Sequence, residues 1–168
     1  MDQALSRLTE RGQLVRVGWG VYLCSVKSRF GTRAPSVEAA VAAIARQKGE
    51  VIVVGGAAAA NELGLTTQVP VRPIYWTSGR TRRVNLGKQV VELRHVPGWQ
   101  LALAQEPAGQ TIRALAWLGP EKAEPALQAL KSKLPVATFR ELASVAPRMP
   151  SWMAQVVSAI AYGLQVRG

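Results

Sequence analysis

The sequence predicts an α+β protein, and three observations carry that reading. Near the N-terminus two runs rich in β-formers flank a Gly-Trp-Gly turn, directly after a short basic amphipathic stretch. In the middle of the chain, short apolar runs bounded by glycine and proline alternate with helix-forming segments rich in alanine. Beyond Gly98 the periodicity is helical. With 48% apolar and 18% charged residues, the 168-residue chain can bury a sizeable core.

Taken in order, Ala4, Leu5 and Leu8 fall at i, i+1 and i+4 on one helix face, while Arg7 and Arg11 lie four apart on another side. Gly12 is the C-cap, because glycine enters the left-handed conformation without a Cβ penalty. Residues 14–17 and 21–23 are read as strands joined by Gly18-Trp19-Gly20. A basic helix, a glycine stop and a two-stranded hairpin, in that order, form the recognition helix and wing of a winged-helix unit. The two helices that precede the recognition helix in a complete unit do not stand before Ala4. The reading is therefore a product whose true start lies upstream, or a chain that keeps only its regulatory part.

A polar linker punctuated by Gly31 and Pro35 is expected over about 27–35. It separates a partial winged-helix element, 1–26, from a mixed α+β domain with a helical C-terminal tail, 36–168. Ser36 is placed to N-cap a helix running to Lys48, with Gly49 after it. Residues 51–54 read as a buried strand, and Gly55-Gly56 leads into a short alanine helix, 57–63, stopped by Gly64. A strand over 72–77 follows Pro70, then a hairpin of 83–86 and 89–95 turning at Gly87. Helices are expected over about 109–118, 121–134, 138–146 and 152–164, the third opened by a capping box of Thr138 and Glu141.

Twenty-one basic residues against ten acidic ones give a formal charge of +11, and residues 1–95 carry +8 of it. Polyanions are the natural partners of such a field. The single cysteine, Cys24, rules out an intrachain disulfide and points to an intracellular setting. The N-terminus lacks the apolar run of a secretory signal, and no apolar stretch is long enough for a membrane span, so a cytoplasmic protein is expected.

The chemistry that is missing narrows the function. His95, Cys24 and Asp2 are each the only residue of their type, too few for a His/Cys metal site. A Ser-His-Asp triad would have to recruit Asp2 or a glutamate, and no G-x-S-x-G elbow, phosphate loop or dinucleotide fingerprint occurs. Without paired aspartates, Mg²⁺-dependent phosphoryl transfer is disfavoured too. No catalytic residue, metal or cofactor is expected.

Four groups of residues are candidates for contact. Gln3, Ser6 and Arg7 lie on the polar face of the first helix, where side chains can read base edges. Arg16 and Trp19 lie on the wing, a place for phosphate or minor-groove contacts, although the tryptophan could equally fold back onto its domain. Arg80, Arg82, Arg83 and Lys88 form the densest basic cluster, suited to phosphate or partner contact and otherwise an ordinary exposed hairpin. Asn61, Thr67 and Gln68 are polar residues among small and apolar neighbours; side-chain bonds to nearby backbone, or contact with a ligand or partner, would each account for them.

The string Ala58-Ala59-Ala60-Asn61-Glu62-Leu63-Gly64-Leu65-Thr66-Thr67-Gln68-Val69-Pro70 carries a more specific signature. Together with Tyr75-Trp76-Thr77-Ser78-Gly79-Arg80-Thr81-Arg82-Arg83 and the wing ending Gly20-Val21-Tyr22, it resembles the AbiEi family of bacterial antitoxins, in particular the short branch grouped under a domain of unknown function. The resemblance is clearest from Ala4 to His95. It implies an N-terminal winged helix that binds repeats in the protein's own promoter, and a C-terminal domain that serves the antitoxin role and cooperative DNA binding. The implied partners are DNA and a nucleotidyltransferase toxin encoded alongside, with a homodimer one way to cover the apolar face of the first helix. The rival expectation is a non-catalytic protein-interaction or RNA-associated module without sequence-specific DNA binding.

Overall fold

The computed structural model describes the backbone of residues 14–18, 21–24, 26–28 and 31–33, and residues 36–167, with side chains from 36 to 164. The expected helix at residues 4–11, with Gln3, Ser6 and Arg7, and Trp19 at the wing tip, lie outside the described residues. Over the described residues the fold is a mixed α+β arrangement of two compact units. The first takes the chain up to Ile52 and from Arg72 to His95; the second takes Val53 to Val71 and everything from Val96 onward.

The first unit begins with β1 (Leu14–Gly18) and β2 (Val21–Cys24), paired antiparallel as the wing reading expects. Their register shifts between Arg16 and Gly18. Inside the stretch read as a linker, β3 (Val26–Ser28) and β4 (Gly31–Arg33) form a second antiparallel pair.

Helix α1 (Val37–Lys48) starts as the sequence indicates. The Ser36 Oγ accepts from the Ala39 amide at 3.1 Å, and Gly49 closes the helix at φ 67°, its amide donating to the Ala45 carbonyl. Glu38 in the first turn and Arg46 and Lys48 in the last complement the helix dipole.

Four strands make the main sheet: β5 (Ile52–Val54), β6 (Ile74–Thr77), β7 (Arg82–Leu86) and β8 (Gln89–His95), in the order β5-β6-β8-β7. Strands β6 and β8 run parallel; β7 and β8 form a hairpin whose two-residue turn opens on Gly87 at φ 64°. Strand β6 begins two residues later than expected, just after Pro73. Alternation assigns the faces. Val84 and Leu86 on β7 and Val91 and Leu93 on β8 are buried with Ala40, Val41 and Ile44 of α1 and with Ile52. The residues between them, Arg83, Asn85 and Val90, are exposed.

The second unit is helical. It comprises α2 (Gly56–Glu62), α3 (Pro107–Leu118), α4 (Pro120–Leu130), α5 (Val136–Ser144) and α6 (Ser151–Arg167), with short 3₁₀ turns at Gly98–Leu101 and Ala146–Arg148. Ala59 and Ala60 of α2 meet Ala114 of α3, so small side chains bring these two helices close. The larger core joins Ile112, Leu115, Leu127, Leu130, Phe139, Leu142 and Met153.

Proline sets three of these helix starts. Pro107 and Pro120 each occupy the first turn, where the missing N–H is not needed, and start their helices earlier than expected. Pro135 caps α5, which puts Thr138 inside the helix, buried, with its amide donating to the Pro135 carbonyl at 3.0 Å. The expected capping box of Thr138 and Glu141 therefore does not form. No helix among the described residues is long and apolar enough to cross a membrane.

Candidate nucleic-acid interface

In the first unit, the loop that carries Arg80 and Arg82 is organised around one carboxylate. Glu50 follows the left-handed Gly49 that ends α1. Its Oε2 accepts from the Thr77 hydroxyl at 2.9 Å, and both of its oxygens accept from Arg82 Nη2 at 3.0 Å. The other arm of the Arg82 fork, Nη1, donates to the Arg80 carbonyl at 2.8 Å. The ion pair is well shielded, with the two side chains 21% and 15% exposed for Arg82 and Glu50. Gly79 makes room for it, since a Cβ at that position would collide with the Glu50 carboxylate.

Further bonds close the loop between β6 and β7. The Gly79 amide donates to the Thr77 hydroxyl at 2.9 Å. Ser78 is tied to Val51 twice: its amide donates to the Val51 carbonyl, and its Oγ accepts from the Val51 amide, both at 3.0 Å. From β8, the His95 amide donates to Thr81 Oγ1 at 2.9 Å, and Nδ1 lies 2.8 Å from the Gly79 carbonyl. A carbonyl can only accept, so Nδ1 carries the proton in this contact. His95, a lone histidine in the sequence, thus fastens a loop.

Across the sheet, Arg83 stands opposite Glu92 in register, and Glu92 accepts from Arg94 at 3.0 Å. Each of the two arginines Arg82 and Arg94 therefore has a carboxylate partner. Arg80, Arg83 and Lys88 are exposed and form no ion pair among the described residues. Within residues 36–52 and 72–95 of this unit there are eight cations and three carboxylates, so the local field stays positive after both pairs are formed.

Of the other expected contact residues, Arg16 lies on β1, opposite Tyr22. Strands β1 and β2 approach α1, and β1 also approaches β7, so the β1–β2 hairpin belongs to the same unit as the basic loop. Asn61, Thr67 and Gln68 belong to the second unit. The Asn61 side chain donates to the carbonyls of Thr66 at 3.3 Å and Gln68 at 2.9 Å, and the Thr66 hydroxyl accepts from the Gln68 amide at 3.2 Å. Asn61 thus pins the segment after α2, while Thr67 and Gln68 are exposed beside Val69 and Val71. Among the described residues, no group of three metal-ligating side chains comes together.

Sequence reasoning missed Arg113, which sits on α3 and is only 3% exposed. Its Nε donates to the Val54 carbonyl and its Nη1 to the Ala104 carbonyl, both at 3.0 Å. Burial pulls its pKa down to about 10, while the charge of Glu62 acts in the opposite direction. The only signal in the sequence was an arginine within an otherwise small and apolar helix face, and that does not reveal which carbonyls it meets.

No curated protein and no solved structure matches the chain significantly. A family model does match, over residues 1–135, which takes in the whole first unit and the first helices of the second. The chain belongs to that family, a family of unknown function (DUF6088).

Proposed function

We propose that this chain is an AbiEi-like antitoxin and transcriptional repressor, which binds the DNA of its own promoter and antagonises a nucleotidyltransferase toxin. The observation that carries the reading is the positive surface of the first unit: Arg80, Arg83 and Lys88 are exposed without a carboxylate partner among the described residues. The β1–β2 hairpin in the same unit supports it, because it stands where the sequence places a wing. The residue string around Asn61 adds the family resemblance. In this reading the chain is non-catalytic, works in the cytoplasm, and uses Gln3, Ser6, Arg7, Arg16 and Trp19 for base and groove contacts.

A second reading rests on Val69 and Val71, which are 74% and 100% exposed. Apolar side chains so open to water favour a protein-interaction or RNA-associated module that no longer reads DNA sequence.

Titration of the chain's own promoter fragment, a random duplex and a duplex RNA at several salt concentrations separates the two. The antitoxin reading expects salt-dependent binding with the promoter preferred, and growth rescue when the chain is co-expressed with the adjacent toxin. Absence of duplex DNA binding at low salt would refute it. Preference for RNA, or toxin rescue without any nucleic-acid binding, would favour the second reading.

A further inference from the structure

We propose that Glu50 and Arg82 are positioning residues of the nucleic-acid surface: they build the 78–82 loop that presents Arg80, and Arg82 does not itself meet a phosphate. The inference rests on the DNA-binding reading above and deepens it.

Both terminal nitrogens of Arg82 are engaged within the protein. One arm of its fork is held by the Glu50 carboxylate and the other by the carbonyl of Arg80, so a single planar group fixes the backbone on which Arg80 sits. Glu50 is held in turn by Thr77, and Gly79 leaves the space the carboxylate occupies. Moving Arg82 onto a phosphate would leave Glu50, 15% exposed, facing the incoming polyanion without its partner. Arg80 has neither constraint. Its side chain is exposed, its backbone is anchored, and no carboxylate among the described residues is paired with it.

Electrostatics alone and positioning predict opposite signs for one substitution. Glu50→Ala removes a negative charge beside the basic loop. If Glu50 only masks Arg82, the released arginine should tighten DNA binding. If Glu50 holds the loop, Glu50→Ala should weaken binding severalfold despite the more positive surface.

The experiment measures duplex DNA affinity against salt for the full chain and for Glu50→Ala, Arg82→Lys, Arg80→Ala and the double variant Glu50→Ala/Arg80→Ala. Thermal melting is run on each, with binding measured well below the transition so that loss of fold does not count as loss of affinity. Arg80→Ala is expected to flatten the salt slope by about 0.9, the value for one lost phosphate contact on duplex DNA. Arg82→Lys keeps the charge but loses the planar fork whose two arms hold Glu50 and the Arg80 carbonyl, so it should weaken binding without flattening the slope. The effect of Glu50→Ala should vanish in the Arg80→Ala background, because both act through the same side chain.

Tighter binding by Glu50→Ala, or wild-type affinity in Arg82→Lys, overturns the proposal and makes Arg82 a phosphate contact. Undiminished weakening by Glu50→Ala in the Arg80→Ala background overturns it as well. Failure of the unaltered chain to bind DNA at low salt is a different result, since it removes the DNA-binding reading on which the proposal stands.

Discussion

Replacing Arg113 with methionine tests whether a buried cation stabilises or burdens the second unit. Methionine keeps much of the aliphatic length and removes the guanidinium. The substitution leaves the Val54 and Ala104 carbonyls without their donors, and each bond from a charged donor contributes about 1.5–3 kcal/mol. Against this stands the cost of keeping a cation out of water. The fall of the Arg113 pKa to about 10 corresponds to about 3 kcal/mol, which the substitution returns. The hydrogen bonds win by a small margin, so Arg113→Met should destabilise the protein by up to about 3 kcal/mol. Arg113→Lys should be worse, because it keeps the buried charge and replaces the fork whose Nε and Nη1 reach the two carbonyls with a compact ammonium. The pH dependence has a definite sign. A base whose folded-state pKa is lowered is penalised while charged, so the wild type should gain stability relative to the methionine variant as pH rises past about 10, with little change between neutrality and that point. Urea unfolding monitored by circular dichroism measures all three. A methionine variant more stable than the wild type, or a lysine variant more stable than the methionine one, would refute the reasoning.

Two further predictions concern packing and loop order in the same unit. Gly109→Ala places a Cβ against the Leu103 carbonyl oxygen, with the Ala102 carbonyl oxygen only 2.8 Å away, and backbone cannot move aside as a flexible side chain would. It should cost about 1–3 kcal/mol and lower the melting temperature by several degrees; an unchanged melting curve would mean that the turn before α3 is free to shift. Asn61→Ala removes both side-chain bonds to the segment after α2, so amide exchange and proteolysis should rise over residues 66–71 while the α3–α6 core stays protected. Equal protection of that segment in both proteins would show that Asn61 does not hold it.

The features legible in the sequence are those whose cause is local. Ser36 and Gly49 bound α1 through contacts within five residues, and Gly87 turns the β7–β8 hairpin through its own backbone freedom. Alternation along 82–86 and 89–95 shows which side chains are buried without reference to anything distant. Asn61 belongs to the same class, its partners lying five and seven residues on. Local signals still compete, and at α5 Pro135 prevailed over the capping box that Thr138 and Glu141 suggested. Long-range pairing was illegible. Glu50 meets Arg82 across 32 residues and Arg113 meets Val54 across 59, and neither partner advertises the other. A sequence reading therefore saw Arg82 as one more cation of a cluster.

That distinction changes how the charge of this chain should be used. Net charge measures the field seen from afar, and it would steer a polyanion toward the first unit whether or not particular cations are paired. Close contact is decided by donors that can be spared. Arg82 and Arg94 already have carboxylate partners, and Arg83 has Glu92 facing it across the β-ladder. Arg80, Arg83 and Lys88 form no ion pair among the described residues, and the carboxylate that stands opposite Arg83 in register already accepts from Arg94. The long-range field can thus remain strong while the number of phosphates actually contacted is small. On the DNA-binding reading proposed above, the salt slope should fall well below the value that one phosphate per basic residue would produce, because counterion release counts contacts and not formal charge.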